Sequence, residues 1–167
     1  MNNAIKTLSI IVVTTSVFGI TACNDYKNKT KMDTETNASI FPKGEKLSNE
    51  WFSGEAFLSP LVAQDNNNNF SAGAVTFEPG ARTNWHTHPK GQVLIVIEGN
   101  GLYQEKGKTA QVIKKGEVVN IPAYVEHWHG ARANSKMVHI AITNYKDGVQ
   151  VTWLQPVSDE QYNEVNN

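Results

Sequence analysis

Cysteine occurs once in the 167 residues, at Cys23, so the chain closes no internal disulfide and builds no cysteine-rich zinc module. An excess of positive charge is also missing. Fifteen basic and sixteen acidic groups give a net charge of −1, which argues against a surface that wraps nucleic acid. No apolar run reaches the roughly 20 residues that a bilayer-spanning helix needs. There is no repeat of fixed period and no sign of a second domain. What is present is a chain with 40% hydrophobic residues, enough for one real core and too many for a disordered protein.

The longest apolar run, Leu8 to Ile20, follows a short polar opening that contains Lys6. That arrangement is expected of a secretory signal segment over residues 1–22. Ile20-Thr21-Ala22-Cys23 resembles a bacterial lipobox, in which the cysteine becomes the lipidated first residue after cleavage. The lone cysteine would then anchor the protein, extracytoplasmically, to a bacterial membrane by acyl chains rather than by a spanning helix. Residues 23–39 are poor in large aliphatic side chains and are expected to form a disordered polar tether.

From Ile40 to Asn167 the pattern becomes that of a single folded domain. Short β-rich runs cover Ala72 to Phe77, Val93 to Glu98, Gly101 to Gln104, Ala110 to Ile113, Val118 to Ile121, Met137 to Thr143 and Gln150 to Leu154. Turn material separates them, including the Asp65 to Asn69 tract, Glu78-Pro79-Gly80, Gly99-Asn100-Gly101 and Lys115-Gly116. Such spacing predicts an all-β fold, a small antiparallel barrel or sandwich. Only the end reads as helical: Ser158 and Gln161 form a capping-box pair opening a short helix over Asp159 to Val165.

All five histidines, His86, His88, His127, His129 and His139, fall within one third of the chain. His86 and His88 are two apart and leave the same face of a strand. Pro89-Lys90-Gly91 is turn material, so the strand opened by Gln92 returns beside the pair. His127 and His129 repeat the spacing around Trp128, whose ring must point the other way. Three neutral imidazoles and an amide oxygen describe a divalent metal site with positions left for water or substrate.

Gly80, His86-Thr87-His88, Gln92 and Gly99 are spaced as in the first cupin motif, with Gln in place of the usual Glu; Gly116, Pro122 and His127 follow the second, with Tyr124 where that motif usually carries Gly. The chain therefore resembles the cupins. Trp51-Phe52-Ser53-Gly54, the Val75 to Thr83 stretch, Trp85 to Pro89, His127-Trp128-His129-Gly130 and Asp159 to Tyr162 look like the bacterial cupin hydroxynitrile lyases of the (R)-mandelonitrile lyase type. The resemblance implies a cupin barrel of the double-stranded β-helix, or jelly-roll, type. It implies His86, His88, Gln92 and His127 as metal ligands, usually to manganese, although iron, zinc, cobalt or nickel suit the same donors. It also places His129 and His139 at the pocket, with Gly73 and Val75, and implies a dimer or tetramer.

Three His and one Gln leave a divalent cation's charge uncompensated, so a hydroxyl held there should shed its proton more readily. In a cyanohydrin that loss frees cyanide and leaves an aldehyde. His129 shares parity with His127, and His139 shares a strand face with Thr143; either is a candidate proton carrier. Leu94, on the Gln92 face, would help Gly73, Val75 and Thr143 seat a small-molecule substrate. Arg82 shares the parity of His86, but a carboxylate partner such as Glu78 is expected to hold it. The four tryptophans are expected in the core or a subunit interface. A cupin dioxygenase or other oxidoreductase, and a binding cupin without chemistry, stand as alternatives to the lyase.

Overall fold

The computed structural model describes residues 39–165; the signal segment, Cys23 and nearly all of the tether lie outside the described residues. The strands are β1 Glu45–Lys46, β2 Phe52–Ser53, β3 Ala56–Val62, β4 Phe70–Phe77, β5 Arg82–Thr83 and β6 His86–Thr87. They continue with β7 Gln92–Glu105, β8 Gln111–Lys114, β9 Val118–Ile121, β10 His127–Ala131, β11 Met137–Asn144 and β12 Thr152–Trp153, before helix α1 Asp159–Glu164. Their pairings are antiparallel, in the order β1-β3-β4-β11-β7-β10-β5-β2, and the sheet curls into an antiparallel half-barrel. No helix among the described residues is long and apolar enough to cross a membrane.

One strand joins the two halves of this sheet. The first part of β7 pairs with β11 and β9, and its second part pairs with β8 and β10. Gly99-Asn100-Gly101, expected as a turn, lies inside this 14-residue strand at the changeover. A side chain at Gly99, whose φ is +68°, would put its Cβ against the Lys136 carbonyl oxygen, and one at Gly101 would meet the Met137 sulfur. Glycine here allows neighbouring strands to close up where the ladder changes partners, which is a strand role of glycine as well as a turn role.

β3 is a strand that the run pattern missed. Pro60 interrupts it, and the register with β4 shifts between Pro60 and Val62, so the proline sits at an irregularity that tolerates a missing ladder donor. Helix α1 forms as expected but ends one residue earlier. The Ser158 side chain accepts from the Gln161 N–H, and the Gln161 side chain accepts from the Ser158 N–H.

The main core brings together Phe77, Leu94, Val96, Tyr103, Ile121 and Met137. Full burial of a side chain such as Phe77 or Leu94 contributes roughly 1.5–3 kcal/mol. Alternation along β10 sends Trp128 into a second cluster with Trp85, Leu102, Val157 and Tyr162, while His127 and His129 face the other way. Arg82 is held in this second region and not at the pocket. It donates to the Val157 carbonyl and pairs with Asp159, with its guanidinium over the Tyr162 ring, whereas Glu78 pairs with Lys43.

Candidate metal centre

The strand register brings the two His-x-His pairs together. β10 lies beside β6 with His127 opposite His86, and β11 carries His139 past Val96 of β7. All five histidines are buried. The His86 ring centroid is 4.2 Å from that of His127, 5.0 Å from His88 and 5.3 Å from His129. Ligand atoms of His86, His127 and His129 lie within 4.8 Å of one another, so this three-His group could hold a metal ion.

Hydrogen bonds divide the rings differently. His86 Nδ1–H donates to the Asn84 carbonyl at 2.9 Å, and His127 Nδ1–H to that of Val125 at 2.8 Å. His88 Nδ1–H donates to the Gln150 carbonyl at 2.6 Å. A carbonyl accepts only from the protonated nitrogen, which leaves the Nε2 lone pair of each ring free, as a metal ligand requires. His129 lacks such a carbonyl; its Nδ1 faces His139 Nε2 at 3.3 Å. Gln92 donates from Nε2 to the Thr143 hydroxyl at 3.1 Å, which turns its carbonyl oxygen away.

The Nε2 atoms of His88, His127 and His129 and the Oε1 of Gln92 are buried without hydrogen-bond partners. Each unsatisfied buried polar atom costs about 1–3 kcal/mol, so several in one buried cluster of rings call for a common partner. The atoms of His88, His127 and Gln92, with the carbonyl-oriented His86 beside them, are neutral nitrogens and one amide oxygen, a set that a divalent cation fits. Burial holds His127 at a pKa of about 4 and His139 at about 4. Burial also lowers His86, helped by the His127 and His88 rings, and His129, helped by His139. His88 is lowered by burial, against opposing contacts from Gln150 and Gln92. At neutral pH every ring is uncharged and able to donate a lone pair.

A cavity of about 300 Å³ opens onto these groups. His86, His88, Gln92, His129, His139, Val75 and Thr143 line it, whereas His127 is fully buried behind them. Leu94 packs into the core and does not line the cavity. Gly73 borders a neighbouring cleft instead; a Cβ there would meet Leu58 Cδ1 at 2.5 Å, and Leu58 lines both spaces. None of the residues lining the cavity is charged at neutral pH.

Two of the tryptophans expected in the core or an interface line the cavity. Trp51 stacks on Trp153 at 5.5 Å and 11°, and Trp153 packs 4.9 Å from His86. Phe52 meets Trp153 edge-on. These residues lie in or beside two-residue strands whose pairing, Trp153 opposite His86 and Phe52 opposite Thr83, has no local periodic signal. Gln150, expected to open a strand over Gln150 to Leu154, lies in the connection before the shorter β12, and no spacing reveals its contact to His88.

Residues 73–143 match the model of the cupin domain. The chain is 44% identical over 113 residues to an (R)-mandelonitrile lyase of Granulicella tundricola, spanning 68% of this chain and 86% of that protein. It is 28% identical over 81 residues to an acireductone dioxygenase of Alcanivorax borkumensis, covering 47% of this chain and 45% of that one. A cupin-like protein of Thermotoga maritima has the same fold, with a TM-score of 0.74 and 45% identity over 77% of this chain and 97% of its own. Fold, buried histidine cluster and sequence identity agree that the chain belongs to the cupin family.

Proposed function

We propose that the protein is a metal-dependent lyase of the hydroxynitrile lyase type, cleaving a small α-hydroxynitrile to an aldehyde and cyanide. The observation that carries this reading is the set of partnerless buried donors at the floor of a neutral, aromatic-lined cavity. His86, His88, His127 and Gln92 would hold the cation, manganese by the family pattern, because their outward atoms are already fixed by backbone carbonyls and by Thr143. When bound, the cation supplies Lewis acidity that its neutral ligands do not offset.

The chain's own side chains supply proton handling and shape. His129 Nε2 takes the substrate hydroxyl proton, while His129 Nδ1–H passes its proton to His139 Nε2 across their 3.3 Å contact. The carbon-carbon bond breaks as the hydroxyl oxygen becomes the aldehyde oxygen, and cyanide leaves with the bonding pair. Reversal of the relay returns a proton to cyanide. Trp51, Phe52, Trp153 and Val75 offer an apolar seat that favours an aryl or alkyl substituent and excludes water.

The test is cyanide release from (R)-mandelonitrile by manganese-loaded protein under anaerobic conditions. Release that needs the metal and not oxygen supports the lyase. The likeness to an acireductone dioxygenase favours a second reading, an oxygen-consuming enzyme, and oxygen uptake coupled to turnover would select it. Absence of any cyanide release or oxygen uptake after full metal loading would leave a binding cupin. From the sequence, we also propose lipid anchoring at Cys23 and a dimeric or tetrameric assembly; Cys23→Ala should release the protein from the membrane fraction.

A further inference from the structure

The three carbonyl-bound imidazoles are not held alike. His86 and His127 each donate to a carbonyl two residues earlier in their own segment, so their ring orientation is a local property of β6 and β10. The acceptor for His88 lies 62 residues away, on Gln150, in the connection between β11 and β12. Nothing in the His88 segment itself fixes that carbonyl.

Two features fix it instead. The preceding Lys146 to Val149 turn closes on itself, with Lys146 and Val149 exchanging backbone hydrogen bonds at 2.9 Å. Next, the Ser71 hydroxyl donates to Gln150 Oε1 at 3.0 Å. Ser71 stands on β4 directly opposite Thr143 of β11, the residue that orients Gln92. The same connection contributes Gln150 and Val151 to the cavity lining, and β12 directly after it contributes Trp153. An occupant of the cavity therefore touches the segment that sets the His88 ring.

We propose that Gln150 is a positioning residue, anchored by Ser71, that couples the His88 ligand to the wall of the substrate cavity. The inference rests on His88 being a metal ligand. Loosening the Ser71–Gln150 contact lets the loop carbonyl drift, so His88 loses its fixed orientation while His86 and His127 keep theirs. Partners of this kind typically change metal affinity by about 10–100-fold. Because the variant side chains act through the loop rather than directly on the ring, the lower end of that range applies.

The test is manganese affinity, measured by chelator competition, for Ser71→Ala, Gln150→Ala, Ser71→Thr and His88→Ala, together with the thermal midpoint of each metal-free protein. Ser71→Ala and Gln150→Ala should bind manganese about tenfold more weakly, with metal-free midpoints close to that of the parent. Ser71→Thr, which keeps the hydroxyl, should retain affinity. Parent-like affinity in Ser71→Ala and Gln150→Ala, with His88→Ala impaired, overturns the coupling but leaves His88 as a ligand. A drop in the metal-free midpoint that accounts for the weaker binding also overturns it. Parent-like affinity in His88→Ala overturns the ligand assignment itself.

Discussion

His139 Nε2 lies 3.3 Å from His129 Nδ1, and both rings are buried and edge-on, with centroids 4.9 Å apart. One of the two nitrogens must carry the shared proton, and the alternative placement exposes either a lone pair or an N–H at His129 Nε2. A pair that can switch in this way suits proton transfer, whereas a ligand needs one fixed tautomer. Replacing His129 by Ala should therefore spare metal binding and lower turnover by about 10²–10⁴-fold. Metal content and rate, measured on the same preparation, decide it. Loss of the metal would assign the three-His group of His86, His127 and His129 as the ligand set instead.

The amide of Gln92 contributes an uncharged oxygen where many cupins present a carboxylate. Gln92→Glu keeps an oxygen for the cation, turns the Thr143 contact round so that the hydroxyl donates to the carboxylate, and adds a negative charge to the site. Metal content should stay the same and kcat should fall, since the cation's pull on a bound oxygen weakens. Equal or higher kcat with unchanged metal would refute the role of the neutral ligand set.

Acid should destabilise the metal-free barrel in a defined window. An exposed histidine titrates near pH 6.5, whereas burial holds His127 and His139 at about 4 in the folded chain. Above about pH 6.5 neither state binds these protons. Between about 6.5 and 4 the unfolded chain takes them up and the folded chain does not, so stability falls as pH falls. Thermal midpoints of metal-free protein should decline through that interval. A flat profile would mean that these rings are accessible to protons in the fold.

Tyr124 has φ +63°, in the left-handed region, and is 60% exposed. Its N–H donates to the His88 carbonyl, so the turn is held in place by a contact that glycine can also make. Tyr124→Gly removes the Cβ clash of that conformation and should stabilise the protein by about 1 kcal/mol. The gain is offset in part by loss of the hydrogen bond from Lys146 Nζ to the Tyr124 hydroxyl. Urea unfolding midpoints check this; a lower midpoint would show that the Lys146 contact outweighs the backbone strain.

Much of the fold was legible because β4, β9 and β11 are short β-rich runs set apart by turn residues and the capping box at Ser158 is local. The histidine cluster was legible through parity, which carries His86 with His88 and His127 with His129. Parity fails where a side chain's environment depends on depth rather than face. Leu94 shares the face of Gln92 yet lies in the core; Gly73, placed at the pocket by the family likeness and not by parity, borders a neighbouring cleft beside Leu58. Nothing local marks the cavity wall, where Trp51, Trp153 and Gln150 arrive from a turn, a two-residue strand and a connection set by tertiary contacts. The 14-residue β7 was divided in the sequence because a Gly-Asn-Gly tract serves a turn and a sheet change equally well.

The central claim is that buried neutral donors from β6, β7 and β10 meet on one cation. Elemental analysis of purified protein alongside its His127→Ala variant, after identical manganese loading and dialysis, tests it most directly. The account predicts one divalent ion per chain in the parent and essentially none in the variant. Equal metal in both, or none in the parent, would contradict it.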